Sequence, residues 1–298
     1  MEKTAFTLTN PQNGDLAFKI FSFDNNSPFD HLQRHNYYTI LLLTEGEGTL
    51  KANLSEYQFS EKIMCCFTPY QPYMIQTEGE ISGLAISFHP DFFCIHRHQQ
   101  EIASNGVLFN NIYKPPFFKI TDDDIIQLYS LISQMKTEVE KNELATHESL
   151  ILYLKIFVIN TIRIKVREYE QAKKLLSYSK EPPILQELKV AIEKFYTSKH
   201  TASEYADLLN ITTKNLSKLV KSYFNKTLTD LISERIIIEA KRELYLTSKP
   251  IKAIAYSLGF SDEYYFSRFF KKNVEVSPLM YRETVGYNRD ITLIPENN

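Results

Sequence analysis

The spacing of hydrophobic and polar positions changes along the chain and divides it into segments of different structure. Residues 1–120 contain short runs of β-branched and aromatic residues, such as 37–43 and 84–88, separated by turn-forming sequences. Many short strands with regular turns are typical of a β-barrel or sandwich. In residues 121–176 the apolar positions recur at helical spacing, which predicts two amphipathic helices.

These two helices allow two interpretations. The first helix is predicted to begin at Thr121, because an acid, Asp124, follows three residues later. The second, over about 146–176, has an apolar stripe so wide that it needs a large partner surface. The helices could cap the β-structure, or they could form the seam of a dimer. We therefore expect 121–176 to be a dimerisation or linking segment.

The chain after residue 184 contains the same helix-turn-helix pattern twice, 49 residues apart. A linker with two prolines, residues 177–183, precedes it. The first copy runs from Ala206 to Lys221 and the second from Ala255 to Lys271. In each copy an apolar stripe lies opposite a polar, largely basic one. A helix built in this way can be held by its own domain while it lies in a DNA groove.

Local signals in the two copies agree. Thr212 and Ser261 are predicted to cap the second helix of each copy. Asn210 and Gly259 occupy matching turns, and both residue types tolerate the left-handed backbone that a tight turn requires. Asn225 suits the C-cap after the first of these helices. The same choices made twice favour a repeated functional unit.

The outer faces of these helices carry the candidate DNA contacts. They are Lys214, Ser217, Lys218 and Lys221 in the first copy, and Glu263, Tyr264, Ser267, Arg268 and Lys271 in the second. The alternative interpretation is a packing motif with a solvated basic face, but the matched cations disfavour it. Residues 227–244 lack Pro and Gly and predict one rigid helix between the copies. Two-groove binding needs such a spacer, since successive major grooves lie ~34 Å apart.

Composition and charge limit the class of protein. The chain is 43% hydrophobic and 23% charged, which is typical of a globular protein, and its net charge is −2. Residues 195–282 hold 14 Lys and Arg against 9 Asp and Glu, a charge of +5, whereas residues 1–180 carry −4. A basic region on an acidic body indicates a polyanionic partner for that region. No long apolar run or secretion signal is visible, so we expect a cytoplasmic protein without a membrane partner.

At this point the residues resemble the AraC/XylS family of bacterial transcription regulators. The stretch IAYSLGFSDEYYFSRFFKK at 254–272, closed by SPLMYR at 277–282, is similar to the family pattern. The turn of the second copy is one residue longer than that of the first, as in the family. The resemblance covers 184–285. Two departures are Asn225 and Glu275, where the family usually has Gly.

The resemblance implies specific roles for the outer residues. Base-edge contacts map onto Lys214, Ser217, Lys218, Glu263, Tyr264, Ser267 and Arg268. Contacts to DNA phosphates are expected from Lys221, Lys271 and Lys272. The resemblance also implies an activator that acts as a homodimer on double-stranded DNA, with a small-molecule effector and RNA polymerase as partners.

In the same family the front domain is often a cupin-like barrel. Of the positions that carry metal ligands in cupins, only His35 is an imidazole here, because Gln33 and Thr39 occupy two others and Tyr73 a further one. A catalytic metal needs about three protein ligands, so we expect neither a metal nor another cofactor. The aromatic residues of this segment could line a ligand site, and His35 and Tyr73 are the candidate pocket residues.

A second histidine cluster and the cysteines have ordinary interpretations. His89, His96 and His98 could hold a metal, but the pattern favours surface or packing roles for them. The cysteines at 65, 66 and 94 are expected to be buried and reduced.

The sequence thus predicts an α+β protein with a cupin-like β-barrel, a helical extension and an all-α C-terminal domain with two helix-turn-helix units. The expected domains are 1–120 for sensing, 121–176 for dimerisation and 184–285 for DNA binding. The expected function is a ligand-responsive regulator that binds two adjacent major grooves, and not an enzyme. The alternatives are a constitutive dimeric regulator without ligand, and a cupin enzyme fused to a DNA-binding tether.

Overall fold

The computed structural model describes residues 5–10, 14–53, 55–60, 62–95, 108–141, 143–175 and 181–285. The chain divides into two compact units, residues 1–180 and residues 181–298. The described strands and two long helices belong to the first unit, and the described part of the second unit is helical. The mixed fold class agrees with the prediction.

The strands of the N-terminal unit form two antiparallel sheets. Their bounds are β1 (Ala5–Thr9), β2 (Leu16–Phe23), β3 (Tyr38–Glu45), β4 (Gly48–Ala52), β5 (Ser55–Phe59), β6 (Ile63–Phe67), β7 (Tyr73–Gln76), β8 (Ser82–Phe88) and β9 (Phe117–Lys119). The larger sheet has the order β1-β2-β8-β3-β6-β9, and the smaller has the order β5-β4-β7. The runs that predicted strands at 37–43 and 84–88 are β3 and β8, which are neighbours in the larger sheet.

The two sheets differ from the predicted barrel in how they join. Their facing sides share one apolar core, to which the larger sheet contributes Leu41 and the smaller contributes Leu50 and Ile75. Among the described residues the two ladders stay separate. An isolated bridge joins Gln33, in the segment between β2 and β3, to Tyr73 of the smaller sheet. These residues therefore form two packed sheets, without the continuous hydrogen bonding that would close a barrel.

Strand β3 shows why its sequence lacks alternation. Ile40 and Leu42 belong to the core on one side of the sheet, and Leu41 and Leu43 belong to the core on the other. Successive side chains of a strand point to opposite faces, so a strand buried on both faces reads as a continuous apolar run. The larger sheet, which contains β3, is therefore the middle layer of the unit, between the smaller sheet and the helical side.

Two helices cover the face of the larger sheet that the smaller sheet leaves open. They are α1 (Asp122–Lys141) and α2 (Thr146–Leu175). Leu128 and Ile132 of α1 and Leu154 and Phe157 of α2 are buried in the same core as Ile40. Packing on the larger sheet thus explains why one face of each helix is apolar.

A charged contact joins the two helices. The backbone N and Oγ1 of Thr121 donate to Asp124 Oδ2 at 2.9 and 2.7 Å, which forms the predicted start of α1. Arg167 of α2 donates to both carboxylate oxygens of Asp124 at 2.6 Å. Burial raises the pKa of Asp124, but the hydrogen bonds from Arg167 and Thr121 outweigh it and hold the pKa below its ordinary value. The ionised carboxylate therefore holds α1 against α2.

The C-terminal unit is built from short helices around one long helix. Their bounds are α3 (Pro183–Phe195), α4 (Ala202–Leu208), α5 (Thr213–Phe224), α6 (Leu228–Leu246), α7 (Ile251–Ser257), α8 (Glu263–Val274) and α9 (Pro278–Val285). The predicted spacer is α6, which runs without interruption for 19 residues, or about 28 Å. Its core face includes Leu231, Ile232 and Ile236, all of which are buried. Within the ranges given above, no helix combines the length and the apolar character needed to cross a bilayer.

Candidate nucleic-acid interface

The first helix pair, α4 and α5, follows the predicted geometry. Asn210 in the turn has a φ of +52°, in the left-handed region. Thr212 caps α5, because its side chain accepts a hydrogen bond from the backbone N of Asn215 at 3.3 Å. Leu216 and Val220 are fully buried, which places the opposite face of α5 outward. The predicted cap and buried stripe are confirmed.

The second helix pair, α7 and α8, repeats this arrangement with one correction. Gly259 has a φ of +83°. The cap of α8 is Asp262 and not Ser261, since Asp262 Oδ1 accepts from the backbone N of Tyr265 at 2.7 Å. Phe266 lies four residues after its cap, as Leu216 does in α5. The extra residue of the second copy therefore belongs to the turn, and a carboxylate is a strong acceptor at a helix N-terminus.

The outward faces of α5 and α8 present matched polar residues. Lys214, Lys218 and Lys221 are exposed on α5, and Arg268 and Lys271 are exposed on α8. Lys272 is also exposed, while Ser217, Glu263 and Ser267 are partly exposed. Tyr264 leaves 83% of its surface in water, although it is a large aromatic side chain. All of the residues predicted to touch DNA are therefore accessible from solvent.

Two cations of this unit that lie away from these faces are engaged in ion pairs. Lys226 pairs with Glu234 at 2.7 Å, and Arg235 pairs with Glu193 at 2.8 Å. Within the described part of the chain, Lys218 and Arg268 make no ion pair. Their charge is therefore available to a polyanion.

Close packing stabilises the turn in each helix pair, α4–α5 and α7–α8. Ala206 and Ala255 are completely buried, as expected where two helices approach closely. Gly259 has a second reason to be glycine, because a Cβ at that position would overlap the backbone carbonyl oxygen of Thr197. His200 contacts the same turn, because its Nε2 lies 2.9 Å from the carbonyl oxygen of Leu258. Sequence reasoning missed this contact, since it joins residues that are 58 positions apart.

A network of charges positions α6 against α3. The guanidinium of Arg235 lies 3.8 Å from the centroid of the Tyr196 ring, and its Nη1 is 3.4 Å from Glu239. Arg242 also pairs with Glu239, at 2.5 Å. Burial raises the pKa of Glu239, but the hydrogen bonds and charges of Arg242 and Arg235 outweigh it and lower the pKa overall. The fold brings these partners of Arg235 together from α3, α6 and the residue after α3.

Helices α5 and α8 each end in a residue that has a left-handed backbone conformation and is not glycine. Asn225 after α5 has a φ of +56°, and Glu275 after α8 has a φ of +68°. The backbone N of each donates to the carbonyl four residues earlier, from Lys221 and from Lys271. The prediction for Asn225 is confirmed. Glu275 adopts the same cap despite its side chain.

The two candidate pocket residues of the N-terminal unit, His35 and Tyr73, lie in different surroundings. Tyr73 is buried and stacks on Phe67 with the ring centroids 3.9 Å apart, and burial raises its pKa far above the ordinary value. His35 is half-buried, with its Nε2 2.8 Å from Gln33 Oε1 and its ring stacked on Tyr37. Burial lowers the pKa of His35, which favours the neutral imidazole.

The candidate metal ligands and the cysteines have different outcomes. The described residues contain no group of three or more side chains suited to a metal ion. Of the second histidine cluster, only His89 belongs to them, since His96 and His98 lie outside. Cys65, Cys66 and Cys94 are buried thiols, and the prediction of their burial is confirmed.

Comparisons with known proteins agree with the helix pairs. A family model described as a helix-turn-helix domain matches residues 205–284. The HTH-type transcriptional activator RhaR of Mannheimia succiniciproducens is 26% identical over 261 residues, which cover 84% of this chain and 86% of that protein. The HTH-type transcriptional activator RhaS of Enterobacter sp. is 19% identical over 253 residues, with the same coverage of 84% and 86%. The solved C-terminal domain of AraT, a response regulator from Geobacillus stearothermophilus, is 30% identical, covers 38% of this chain and 94% of that domain, and has a TM-score of 0.36.

Proposed function

Because the chain belongs to the AraC/XylS family of DNA-binding transcription regulators, we propose that it binds duplex DNA through both of its helix pairs. α5 and α8 act as the two recognition helices, and each lies in a major groove. The observation that carries this proposal is the matched placement of Lys218 and Arg268, exposed at equivalent positions of two similarly capped helices.

The rigid helix between the pairs supports binding to adjacent grooves. α6 is about 28 Å long and is held along its buried side. Successive major grooves on one face of B-DNA are ~34 Å apart, so a stiff connector of this size suits two contacts one helical turn apart. A flexible connector would leave the relative position of the two helices undefined.

The exposed residues divide by chemistry into two roles. Lys218 and Arg268 can donate to guanine O6 and N7, and Glu263 can accept from cytosine N4. Lys214, Ser217, Tyr264 and Ser267 share the same outward faces and complete the set that reaches base edges. Lys221, Lys271 and Lys272 contact phosphates, which set the register of the protein on DNA.

The N-terminal unit supplies regulation and dimerisation in this proposal. Residues 1–120 form a cupin-like sensor for a small molecule, residues 121–176 form the dimer seam, and residues 184–285 bind DNA. On α2, Leu152, Ile156 and Val166 are exposed and lie within one stripe of the helix, on the face turned away from the core. The relatives are named transcriptional activators, so we propose activation, with RNA polymerase as the partner.

Selection of binding sites from a random duplex library with the full-length chain tests the proposal. We expect enriched sequences with two conserved blocks about 10 base pairs apart, one for each recognition helix. The paired single variants Lys218→Ala and Arg268→Ala should each erase information from one block and leave the other. Enrichment of a single block that both variants weaken equally would contradict binding by two helices.

A further inference from the structure

The two helix pairs of the C-terminal unit are in contact through a loop as well as through α6. Residues 196–201 form this connecting loop, which runs from the end of α3 to the start of α4. The loop precedes the first helix pair in the sequence, yet it packs on the turn between α7 and α8 of the second pair. A contact of this kind can fix the orientation of one pair against the other.

Helix α4 of the first pair holds the connecting loop by hydrogen bonds. Glu204 accepts from the backbone N of His200 at 3.0 Å, and from the backbone N and Oγ1 of Thr201 at 2.9 and 2.6 Å. The hydroxyl of Tyr205 donates to the carbonyl oxygen of Lys199 at 3.2 Å. The hydrogen bond from the Thr201 side chain lowers the pKa of Glu204. The ionised carboxylate therefore anchors this end of the loop with charge-assisted bonds.

Helix α6 holds the other end of the connecting loop. The guanidinium of Arg235 lies 3.8 Å from the centroid of the Tyr196 ring, at the start of the loop. Arg235 is itself fixed, because its Nε lies 2.8 Å from Glu193 of α3. The loop is thus anchored on both sides of the residues that reach the second pair.

His200 joins the connecting loop to the second pair. Its Nε2 lies 2.9 Å from the carbonyl oxygen of Leu258, and because a carbonyl oxygen can only accept, the imidazole donates. The His200 ring also lies against the ring of Phe260, with 4.9 Å between the centroids. The Phe260 ring in turn contacts those of Phe266 and Phe269 in α8. The contact therefore reaches the core face of the second recognition helix.

A difference between the two turns is an independent sign of this contact. Asn210 and Gly259 occupy matching turns, with φ values of +52° and +83°. A left-handed backbone tolerates Asn, so the conformation alone does not require glycine in the second turn. A Cβ at position 259 would overlap the carbonyl oxygen of Thr197, which belongs to the connecting loop. The close approach of the loop thus explains why the second turn has no side chain there.

We propose that the connecting loop is a second connection between the two helix pairs, and that His200 is a positioning residue that orients α8 for its groove. The role of α8 in DNA binding rests on the proposed function above. Helix α6 fixes a distance along its axis, and a contact away from that axis restricts rotation of the second pair about α6. A preorganised pair binds without the cost of ordering its parts. Loss of the contact should therefore weaken and loosen recognition of two DNA blocks.

Amide hydrogen exchange of the full-length protein without DNA tests the connection itself. His200→Leu removes the donor and keeps a side chain of similar size, whereas His200→Gln keeps an N–H group that can reach the Leu258 carbonyl. The Phe260 amide donates to a carbonyl of α7, and the matching Ile211 amide donates to a carbonyl of α4. We expect exchange at Phe260 to quicken about fivefold in His200→Leu and to return in His200→Gln, with exchange at Ile211 unchanged.

Ser198→Ala is the matched control in the same loop. Ser198 Oγ donates to the carbonyl oxygen of Phe195 at 3.3 Å, a bond that stays on the side of α3. The control should exchange as the unaltered protein does. Equal exchange at Phe260 in His200→Leu and in the control overturns the connection. Faster exchange at Phe260 and Ile211 alike also overturns it, because general loosening of the unit would then explain the change.

Gel-shift titrations on selected duplexes test the effect on DNA binding. One duplex carries both blocks at the selected spacing, one carries them a base pair further apart, and one has the second block scrambled. We expect His200→Leu to bind the first duplex about tenfold more weakly, to discriminate less between the two spacings, and to bind the scrambled duplex as the unaltered protein does. His200→Gln should restore the first two properties, and Ser198→Ala should keep them. Unchanged affinity and spacing preference in His200→Leu overturn the positioning role.

The two experiments together separate this inference from the proposed function. An unaltered protein that recognises no second block overturns the proposed function and with it the role of His200 on DNA, whereas exchange at Phe260 still decides whether the loop holds the turn. Two-block binding and Phe260 exchange that His200→Leu both leaves unchanged overturn the connection and leave the proposed function standing.

Discussion

Arg268 lies on the exposed face of α8, and Lys218 lies at the equivalent position of α5. A guanidinium can donate two parallel hydrogen bonds to guanine, whereas an ammonium acts as a compact point charge. Arg268 therefore offers the stricter base preference of the two. Lys272 is exposed as well, but it is expected to meet a phosphate, which every sequence presents.

We expect Arg268→Ala to weaken binding to a selected DNA site by about 1–3 kcal/mol and to relax the preference at one base pair. Lys272→Ala is the control, and it should weaken binding to all sequences alike and reduce the salt dependence. Competition titrations with single-base variants of the site measure both effects. A uniform loss on every sequence for Arg268→Ala would refute its contact with a base.

Glu275 supports a second prediction, because its left-handed backbone disfavours any side chain with a Cβ. Glu275→Gly should stabilise the C-terminal unit by about 0.5–1 kcal/mol, since relief of the backbone exceeds the added freedom of the unfolded chain. Glu283→Gly, inside α9, should instead destabilise it by about 1 kcal/mol. Urea unfolding followed by the helical circular dichroism signal compares the two, and a loss of stability in Glu275→Gly would contradict the argument.

Sequence reasoning at this scale was right where the cause was local. Thr212 acts through its own side chain, and Asn210 and Asn225 act through their own left-handed backbone, so the residue types alone indicated these roles. The cap at Asp262 was assigned to Ser261, because both residue types cap helices and the length of the turn decides between them. Contacts such as His200 with Leu258 depend on distant segments, and no local pattern indicates them.

The helices of the C-terminal unit could be predicted from the periodicity of apolar residues, but the pairing of the strands could not. α6 and the helix pairs were predicted because their apolar spacing is helical and their ends carry strong signals. The arrangement of strands into two sheets was not predicted. A strand such as β3, buried on both faces, indicates that it is central but not which strands pair with it.

The turn between α7 and α8 yields a prediction at the scale of elements. Gly259→Ala should destabilise the C-terminal unit by about 2–4 kcal/mol, because the left-handed backbone and the overlap with the Thr197 carbonyl act together. Gly79→Ala, where a Cβ meets nothing within 4 Å, is the control and should change stability little. Urea unfolding monitors both, and equal stability of the two variants would mean that the turn adapts.

At the scale of the whole molecule, the surfaces proposed for DNA binding and for dimerisation belong to different units. The matched cations Lys218 and Arg268 belong to the C-terminal unit, whereas the exposed residues Leu152, Ile156 and Val166 of α2 belong to the N-terminal unit. Composition predicted the first of these features, since the charge of residues 195–282 differs in sign from that of residues 1–180.

The proposed dimer is tested on α2. Leu152→Asp with Ile156→Asp should raise the dissociation constant of the dimer by about 100-fold or more, because each carboxylate would be buried in the seam. Ile126→Asp, at a 69% exposed position of α1 outside that stripe, is the matched control and should leave the dimer intact. Sedimentation equilibrium gives the constants, and an unaltered protein that stays monomeric would refute the seam.

The uninterrupted course of α6 has a consequence for how this regulator changes over generations. Each residue of an α-helix adds 1.5 Å and turns the chain by about 100°. In the proposed complex, a single codon inserted into or deleted from α6 would therefore rotate α8 away from its groove, and the proposed contacts of α8 would be lost together. New operator preferences can arise by exchange of outward side chains such as Lys218 and Arg268. The number of residues between α5 and α8 is expected to stay constant.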